Sequence, residues 1–260
     1  MAKTPWIGTS WKMNKTRAEA RAFCDALKAS PVATAETAKL FIVPPFTSIS
    51  TAADILSNTR VLVGAQNMHW ADEGAWTGEV SARMIVDAGA RLVELGHSER
   101  REFFNETDKA VGRKVAAAVR QGLLALVCVG DTHDEHRNRQ TSAALRRQVT
   151  AALRHLDRHA PGQVIIAYEP VWSIGEKGVP AEPDFVEAQH VLLKQLTADI
   201  MGRPLDILYG GSVNPQNCVP LAKQANIDGL FIGRSAWSVE GYVGIIESVV
   251  AALDGTEPTA

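Results

Sequence analysis

A regular alternation between short apolar runs and segments with helical periodicity limits the possible folds most strongly, and it continues along the whole chain. The apolar runs are only a few residues long and are often β-branched. Strands that are buried on both faces of a parallel sheet have this composition. The eight predicted strands are Trp6–Trp11, Lys39–Val43, Val61–Ala65, Leu92–Leu95, Leu123–Val129, Val164–Tyr168, Asp206–Tyr209 and Gly229–Ile232.

Two of the intervening segments show the helical pattern most clearly. In Asp108–Gln121, valines recur at every fourth residue and therefore share one face. We expect Asp108 to cap the start of this helix and Gly122 to end it in the left-handed conformation. The segment Pro183–Met201 keeps helical spacing of its apolar residues, and its leading proline suits a first turn.

Eight strands that are each followed by a helix predict a single (β/α)8 TIM barrel of the α/β class. An open, doubly wound sheet is the alternative that the pattern leaves. The length of 260 residues suits one barrel domain spanning residues 1–260, and no linker-like stretch divides the chain. Only residues 255–260 have the composition of a frayed tail.

Charge and composition argue against several kinds of partner. The formal net charge is −2, and Arg146, Arg147 and Arg154 stand without an aromatic platform, so we expect no nucleic-acid partner. No apolar run approaches the ~20 residues that span a membrane, and the first residues lack an apolar signal core. The three cysteines are widely spaced, as is typical of thiols in a reducing compartment, so we expect a cytoplasmic protein.

Candidate catalytic residues follow three of the predicted strands, at the end of a barrel where active sites form. Lys12 can supply a fixed positive charge, and His97 precedes a helical turn whose N–H groups favour a neutral imidazole. Glu169 follows an apolar run, where partial desolvation makes a carboxylate a better base. Taken singly, Lys12 and His97 are more typical of an ordinary surface or core residue, and Glu169 is also compatible with a solvated residue of an ordinary loop.

Glycine-rich segments follow the last two strands. Gly210, Gly211 and Ser212 come after the seventh, and Gly233 after the eighth. Backbone N–H groups in these two loops commonly cradle a phosphate in such barrels. The segment between Gly175 and Gly178 is predicted to be a hinged loop that can exclude water.

Other motifs do not indicate a cofactor or a metal. His155 and His159 have helical ligand spacing, but no third ligand accompanies them and their segment is charged. The sequence contains neither GxGxxG nor GxxxxGK[ST], which argues against dinucleotide and P-loop chemistry. We therefore expect no cofactor and no metal.

Several motifs together resemble the triosephosphate isomerase family over nearly the whole chain. They are Trp11-Lys12-Met13-Asn14, Gly64-Ala65-Gln66-Asn67, Gly74-Ala75-Trp76-Thr77-Gly78-Glu79, Glu94-Leu95-Gly96-His97-Ser98-Glu99-Arg100-Arg101, Ala167-Tyr168-Glu169-Pro170-Val171-Trp172 and Tyr209-Gly210-Gly211-Ser212-Val213. In that family a glutamate is the base, a neutral histidine is the electrophile and a loop closes over the substrate. The resemblance implies a cofactor-independent isomerase of a small sugar phosphate.

The resemblance also implies roles for individual residues. Glu169 would be the base, His97 the electrophile and Lys12 the electrostatic group, with Glu99 behind them as a supporting partner. The phosphate would be held by a set of mouth residues: Gly175, Ser212, Gly233 and the amide of Arg234. Members of the family are homodimers in which one loop enters the partner's site, and the matching loop here is Asn67–Gly78, around Thr77.

Departures from the family's pattern bear on the substrate. Ser10 stands where the family has an asparagine near the reacting carbons, and the lid sequence from Ile174 to Pro180 differs from the usual Ile-Gly-Thr-Gly-Lys. Arg234 replaces the second of the two glycines that the family has after the last strand. Trp237 then lies in a stretch that is less aromatic in other members of the family.

These departures resemble the branch of the family that interconverts L-erythrulose 1-phosphate and D-erythrulose 4-phosphate in erythritol breakdown. A fitted triose pocket resists an additional hydroxymethyl group, whereas the shorter Ser10 offers room and a polar partner. Three alternatives stay open: a triosephosphate isomerase that tolerates Ser10, a non-catalytic phosphate-binding barrel, and an aldolase with a Schiff-base lysine.

Overall fold

The chain forms a closed barrel of eight parallel strands in the computed structural model, which describes residues 3–157, 163–175 and 178–255. The strands follow one another around the barrel in chain order, and the first pairs with the last. The barrel prediction is confirmed, and the open sheet is wrong. The strands are β1 Trp6–Ser10, β2 Lys39–Val43, β3 Leu62–Ala65, β4 Leu92–Leu95, β5 Leu124–Val129, β6 Val164–Tyr168, β7 Asp206–Tyr209 and β8 Gly229–Ile232.

All eight predicted strands are present, with bounds that shift by at most one residue. The first ends at Ser10, one residue earlier than predicted. The Trp11 N–H still donates to the carbonyl of Val43 at 3.1 Å, but Lys12 then adopts a φ of 53° and the extended conformation stops. This turn directs the Lys12 side chain toward the mouth of the barrel.

Helices surround the barrel and connect its strands. They are α1 Arg17–Ala29, α2 Ile49–Leu56, α3 Ala82–Asp87, α4 Ser98–Phe103, α5 Asp108–Arg120, α6 His133–Arg137, α7 Thr141–Leu153, α8 Pro183–Met201, α9 Cys218–Ala222 and α10 Val239–Asp254. Among the described residues, none of these helices is long and apolar enough to cross a bilayer.

The predicted helix bounds agree with the structure, but one predicted cap is wrong. The N-cap of α5 is Thr107, whose hydroxyl accepts the Ala110 N–H at 3.2 Å; Asp108 is the first helical residue. Because a hydroxyl one residue earlier already satisfies that N–H, Asp108 is left to bond the guanidinium of Arg101. Gly122 has a φ of 75°, as expected of the residue after the helix.

Apolar side chains fill the barrel in an inner cluster, and a larger cluster packs the helices against its outer face. The inner cluster comprises Phe41, Val43, Leu92, Leu126, Cys128, Ile165, Ala167, Leu208 and Phe231. Because successive strand residues point to opposite faces, Glu94 lies on the inner face of β4, two residues beyond Leu92. Val93 and Leu95 belong to the outer cluster. The carboxyl ends of the strands thus converge on a polar layer above an apolar plug.

Three features singled out in the sequence lie outside the described residues, wholly or in part. They are His159 of the histidine pair, residues 176–177 of the predicted lid, and residues 256–260 of the tail. Gly255 is described, and it ends α10 with a φ of 71°.

Candidate active site

A pocket of about 430 Å³ opens at the carboxyl ends of the strands, where the sequence predicted the site. Nine residues that were singled out from the sequence line it: Ser10, Lys12, His97, Glu99, Glu169, Gly175, Ser212, Gly233 and Arg234. Thr77 does not line this pocket; it lies on an exposed loop outside it. The structure therefore gathers residues that are up to 227 positions apart (10 and 237) into one cavity.

Glu169 is held rigidly at the end of β6. Its N–H donates to the carbonyl of Val129 at 2.8 Å, and its side chain is only 3% exposed. Gly210 packs so closely that a Cβ there would lie 2.8 Å from Glu169 Cγ, which explains the need for glycine. Burial first, and then the nearby carboxyl of Glu94, raise the pKa of Glu169 to about 8.

One carboxylate oxygen of Glu169, Oε2, has no hydrogen-bond donor among the described residues. A buried, unpaired carboxylate oxygen is costly for folding, and at the mouth of a pocket it is the arrangement that a general base requires.

His97 caps the N-terminus of α4 with its side chain. Its Nδ1 accepts the N–H of Glu99 at 3.2 Å, so the proton of the neutral ring lies on Nε2. Burial, followed by the positive charge of Lys12, lowers the pKa of His97 to about 4. His97 Nε2 lies 3.7 Å from Glu169 Oε2. The imidazole is therefore a neutral donor directly beside the candidate base.

Lys12 reaches the same pocket from a left-handed backbone position. The side-chain amide of Gln66 donates to the carbonyl of Lys12 at 2.8 Å, which holds this unusual backbone in place. The Lys12 ammonium bonds Glu99 Oε1 at 2.7 Å. A half-buried cation is thus fixed at the mouth, where it can stabilise a phosphate or an enediolate oxygen.

The glycine-rich loops after β7 and β8 form a further part of the pocket wall. The hydroxyl of Ser212 donates to the carbonyl of Ser173 at 2.6 Å, and the Ser212 N–H donates to Ser173 Oγ at 3.3 Å. These bonds tie the loop after β7 to the 3-10 turn Val171–Ser173, which directly precedes the predicted lid. Gly175 lies just beyond that turn with a φ of 84°.

Glu94 contributes a buried carboxyl to the site, and its role was not predicted from the sequence. The hydroxyl of Ser10 donates to Glu94 Oε2 at 2.8 Å, and Glu94 Oε1 lies 4.0 Å from His97 Nε2. Burial raises the pKa of Glu94 to about 7. The sequence did contain a signal for this residue. Glu94 is the one charged residue of an otherwise apolar strand, and its spacing of two from Leu92 places both on the same face.

Trp237 is the second residue whose contact the sequence did not reveal. Its indole N–H donates to the carbonyl of Ser10 at 3.0 Å. The ammonium of Lys15 in turn donates to the backbone carbonyl of Trp237 at 2.6 Å. Trp237 and Ser10, two residues that differ from the family's pattern, are thus directly hydrogen-bonded to each other.

Cys128 contributes a thiol beneath the two carboxyls. Ligand atoms of Glu94, Cys128 and Glu169 all lie within 4.8 Å of one another, a spacing compatible with a metal ion. However, burial raises the pKa of Cys128 well above its ordinary value and so disfavours the thiolate that binds metals. We therefore assign no metal to this cluster.

Comparison with known proteins agrees with the site geometry in indicating a sugar-phosphate isomerase family. The triosephosphate isomerase family model matches residues 5–249. An L-erythrulose-1-phosphate isomerase from Rhizobium rhizogenes is 52% identical over 96% of this chain and 96% of its own length. The protein of that name from Brucella abortus biovar 1 is 51% identical over 93% of this chain and 94% of its own.

A solved structure gives the same result at the level of the fold. The triosephosphate isomerase of Bartonella henselae is similar with a TM-score of 0.84 and 35% identity, covering 94% of this chain and 98% of that protein. The match of the family model to residues 5–249 spans far more than half of the sequence. On this basis the chain belongs to the triosephosphate isomerase family.

Proposed function

We propose that the protein is a cofactor-independent ketose-phosphate isomerase that interconverts L-erythrulose 1-phosphate and D-erythrulose 4-phosphate. The pairing of unbonded Glu169 Oε2 with neutral His97 Nε2 at 3.7 Å carries the reaction class. The names of the relatives and the presence of Ser10 at the pocket wall support the substrate.

The reaction follows from the chemistry of these groups. Ionised Glu169 removes the proton from C3 of L-erythrulose 1-phosphate, while His97 Nε2–H donates a hydrogen bond to the C2 carbonyl oxygen. The C3–H bond breaks and an enediolate forms, which the Lys12 ammonium stabilises. His97 Nε2 gives its proton to the oxygen on C2 and takes the proton of the C3 hydroxyl, while Glu169 returns its proton to C2. The C2–H bond forms, and C2 is left with a hydroxyl and C3 with the carbonyl, which is D-erythrulose 4-phosphate when the chain is numbered from its other end.

The phosphate does not react and serves as a handle. In this proposal Gly175, Ser212, Gly233 and Arg234 hold it by backbone N–H groups at the wall formed by the loops after β6, β7 and β8. Glu99 supports the reacting side, because its carboxylate bonds Lys12 and its N–H orients the His97 ring. Binding the phosphate end also lets the enzyme use that energy to orient the carbon skeleton.

The substrate assignment predicts a clear kinetic preference. The purified protein should turn over L-erythrulose 1-phosphate with a kcat/KM at least about tenfold above that for D-glyceraldehyde 3-phosphate, since one contact to the extra hydroxymethyl group is worth about 1.4 kcal/mol. Steady-state assays of both substrates measure it. A preference for the triose would instead identify a triosephosphate isomerase.

Two further outcomes of the same assays separate the remaining alternatives. A non-catalytic phosphate-binding barrel would bind both sugar phosphates and convert neither. An aldolase would cleave a carbon–carbon bond, and borohydride would trap its substrate on a lysine. The coexistence of Lys12, His97 and Glu169 in one pocket argues against a pure binder, which needs no base.

We also propose that the protein works as a homodimer through the loop around Thr77. His69, Trp70 and Trp76 pack their rings together at the base of this loop, with His69 and Trp76 centroids 4.4 Å apart. Trp76 is nevertheless half exposed, and Met13, next to Lys12, is 96% exposed. Apolar side chains left bare beside a catalytic pocket are typical of a surface that a partner covers.

The dimer proposal is tested by Thr77→Arg. A long charged side chain at a docked loop tip should halve the molar mass in analytical ultracentrifugation and reduce kcat, because the partner would no longer pack beside Lys12. Ser142→Arg, on the exposed face of α7, is the matched control and should leave the mass unchanged. An undiminished dimer in the Thr77→Arg protein would exclude this loop from the interface.

We propose the cytoplasm as the compartment in which the protein acts. Its substrates are phosphorylated sugars, which are made and consumed inside cells. Cys24, Cys128 and Cys218 are all buried free thiols, as suits a reducing compartment.

A further inference from the structure

Ser10 and Glu94 form a buried pair that links two different strands below the reacting groups. Ser10 ends β1 and Glu94 lies on the inner face of β4, and their 2.8 Å hydrogen bond crosses the upper layer of the barrel. Both residues are buried, Ser10 with 4% and Glu94 with 3% exposure, but Ser10 lines the pocket and Glu94 does not. The serine is therefore the member of the pair that a ligand can touch.

Burying this carboxyl has a cost that packing alone does not explain. The side chains that lie on the inner face of β4 and its neighbours below Glu94 are apolar, so its carboxyl is removed from water and accepts a hydrogen bond from Ser10. It also stands close enough to Glu169 to raise the pKa of that base. An apolar residue would fill the same space at lower cost, so the carboxyl points to a functional requirement.

The position of the pair matches the one group that distinguishes the two substrate classes. The base must contact C3, which carries a hydroxyl in both classes; the tetrulose phosphate has a hydroxymethyl group there where the triose phosphate has a second hydrogen. The hydroxymethyl carbon is one bond, about 1.5 Å, from that contact. Glu94 Oε1 lies 4.0 Å from His97 Nε2, so the pair borders the reacting carbons.

Trp237 fixes the serine from the other side. Its indole N–H donates to the Ser10 carbonyl at 3.0 Å, and Trp237 is itself a lining residue of the pocket. The backbone of Ser10 is thus held by Trp237 and its hydroxyl by Glu94. Rotation of a serine hydroxyl costs little unless a partner fixes it, so a fixed hydroxyl is a better recognition group.

We propose that Glu94 positions the hydroxyl of Ser10 to bind the C4 hydroxyl of the tetrulose phosphate, and that this pair sets the preference for four-carbon over three-carbon sugar phosphates. The inference rests on the proposed tetrulose-phosphate activity. Glu94 acts through Ser10 and is a positioning residue, while Ser10 contacts the substrate. Triose phosphates lack the C4 hydroxyl and gain nothing from the pair.

The test compares kcat/KM for L-erythrulose 1-phosphate and D-glyceraldehyde 3-phosphate in single and double variants. Ser10→Ala and Glu94→Leu should each lower the tetrulose-to-triose ratio about tenfold or more, as expected for a lost hydrogen bond. The double variant should lower it no further than the single ones, because both remove the same interaction. Glu94→Gln keeps a hydrogen bond to Ser10 and should hold the ratio within about threefold of wild type.

Controls separate recognition from a general loss of structure or of base strength. Thr9→Val is the matched control, since Thr9 is the neighbouring residue, is fully buried, and makes no side-chain hydrogen bond among the described residues. It should leave the ratio unchanged. A change in the pKa of Glu169 alters turnover of both substrates alike and therefore cancels in the ratio. Competitive inhibition by erythritol 4-phosphate and glycerol 3-phosphate measures the same preference without turnover.

The wild-type protein and the variants answer different questions. A wild-type preference for the triose overturns the proposed function. A wild-type preference for the tetrulose, combined with equal losses on both substrates in Ser10→Ala and Glu94→Leu, overturns only the role of the pair. Equal tetrulose-to-triose ratios of kcat/KM in Glu94→Leu and Glu94→Gln would also overturn it. The hydrogen bond to Ser10, which only the Gln variant keeps, would then have no effect on the substrate preference.

Discussion

Glu169→Gln is expected to lower kcat by about a thousandfold, within the range typical of losing a general base. The amide keeps the size and hydrogen-bonding capacity of the carboxyl but cannot accept the C3 proton at any accessible pH. Glu169→Asp keeps the carboxylate and withdraws it by one methylene, so its kcat should fall by about a hundredfold. Steady-state assays with L-erythrulose 1-phosphate, together with deuterium exchange at C3, measure both effects.

Ligand binding and stability provide the controls for this substitution. The affinity for an inert polyol phosphate should change little, because the proposed phosphate contacts lie elsewhere in the pocket. The folded-state pKa of Glu169, about 8, lies above its ordinary value of 4.5, so folding favours the protonated form. The resulting stability is fully present below pH 4.5 and is lost as the pH rises through 8. At pH 9 the Gln variant should therefore have a Tm at least equal to that of the wild type.

The pH profile provides an independent check on Glu169. Because the base must be ionised, kcat/KM of the wild type should rise toward pH 8 and level off above it. The residual activity of Glu169→Gln should lack this rise. Undiminished turnover in the variant, or a wild-type profile that is flat from pH 6 to 9, would remove Glu169 from its role.

His97→Gln is expected to lower kcat by about a hundredfold or more, because a directed donor to the carbonyl oxygen is lost as charge develops there. The pKa of His97, about 4, keeps the ring neutral across the working range, so it contributes a hydrogen bond and not a formal charge. Accordingly, His97 should not titrate between pH 5 and 7, and the pH profiles of kcat for the wild type and the variant should have the same shape in that range.

The helix cap provides the control for His97. His97 Nδ1 accepts the Glu99 N–H at the start of α4, so the variant should also lose about 1 kcal/mol of stability. Ser81→Ala removes a comparable side-chain cap from α3, away from the pocket, and should reproduce the loss of stability without the loss of kcat. Equal kcat losses in the two variants would show that the His97 effect is only structural.

The strands were predictable because each is a local pattern. Short β-branched runs that are buried on both faces have few other solutions, and the predicted β6 Val164–Tyr168 and β7 Asp206–Tyr209 match the structure residue for residue. The errors lie where side chains compete for one backbone group. Thr107 caps α5 where Asp108 was expected, and nothing in the local pattern decides between two neighbouring acceptors.

The candidate site was partly predictable for a topological reason. In a closed parallel barrel every strand ends on the same rim, so Lys12, His97 and Glu169 had to meet once the strands were placed. Their relations could not be predicted. That Nδ1 of His97 faces an N–H and Nε2 faces Glu169 depends on how α4 begins, which is a matter of tertiary geometry.

The sequence by itself determined the number of strands, their order and the residue types at the mouth, because period, length and order are properties of the chain. The alternation and its family motifs sufficed for that. Only the tertiary structure decided which distant residues share an environment. It placed Glu94 against Ser10, Trp237 behind that serine, and Glu169 in a site dry enough to raise its pKa. Burial and cross-strand hydrogen bonds depend on neighbours from other strands, and no local pattern records those neighbours.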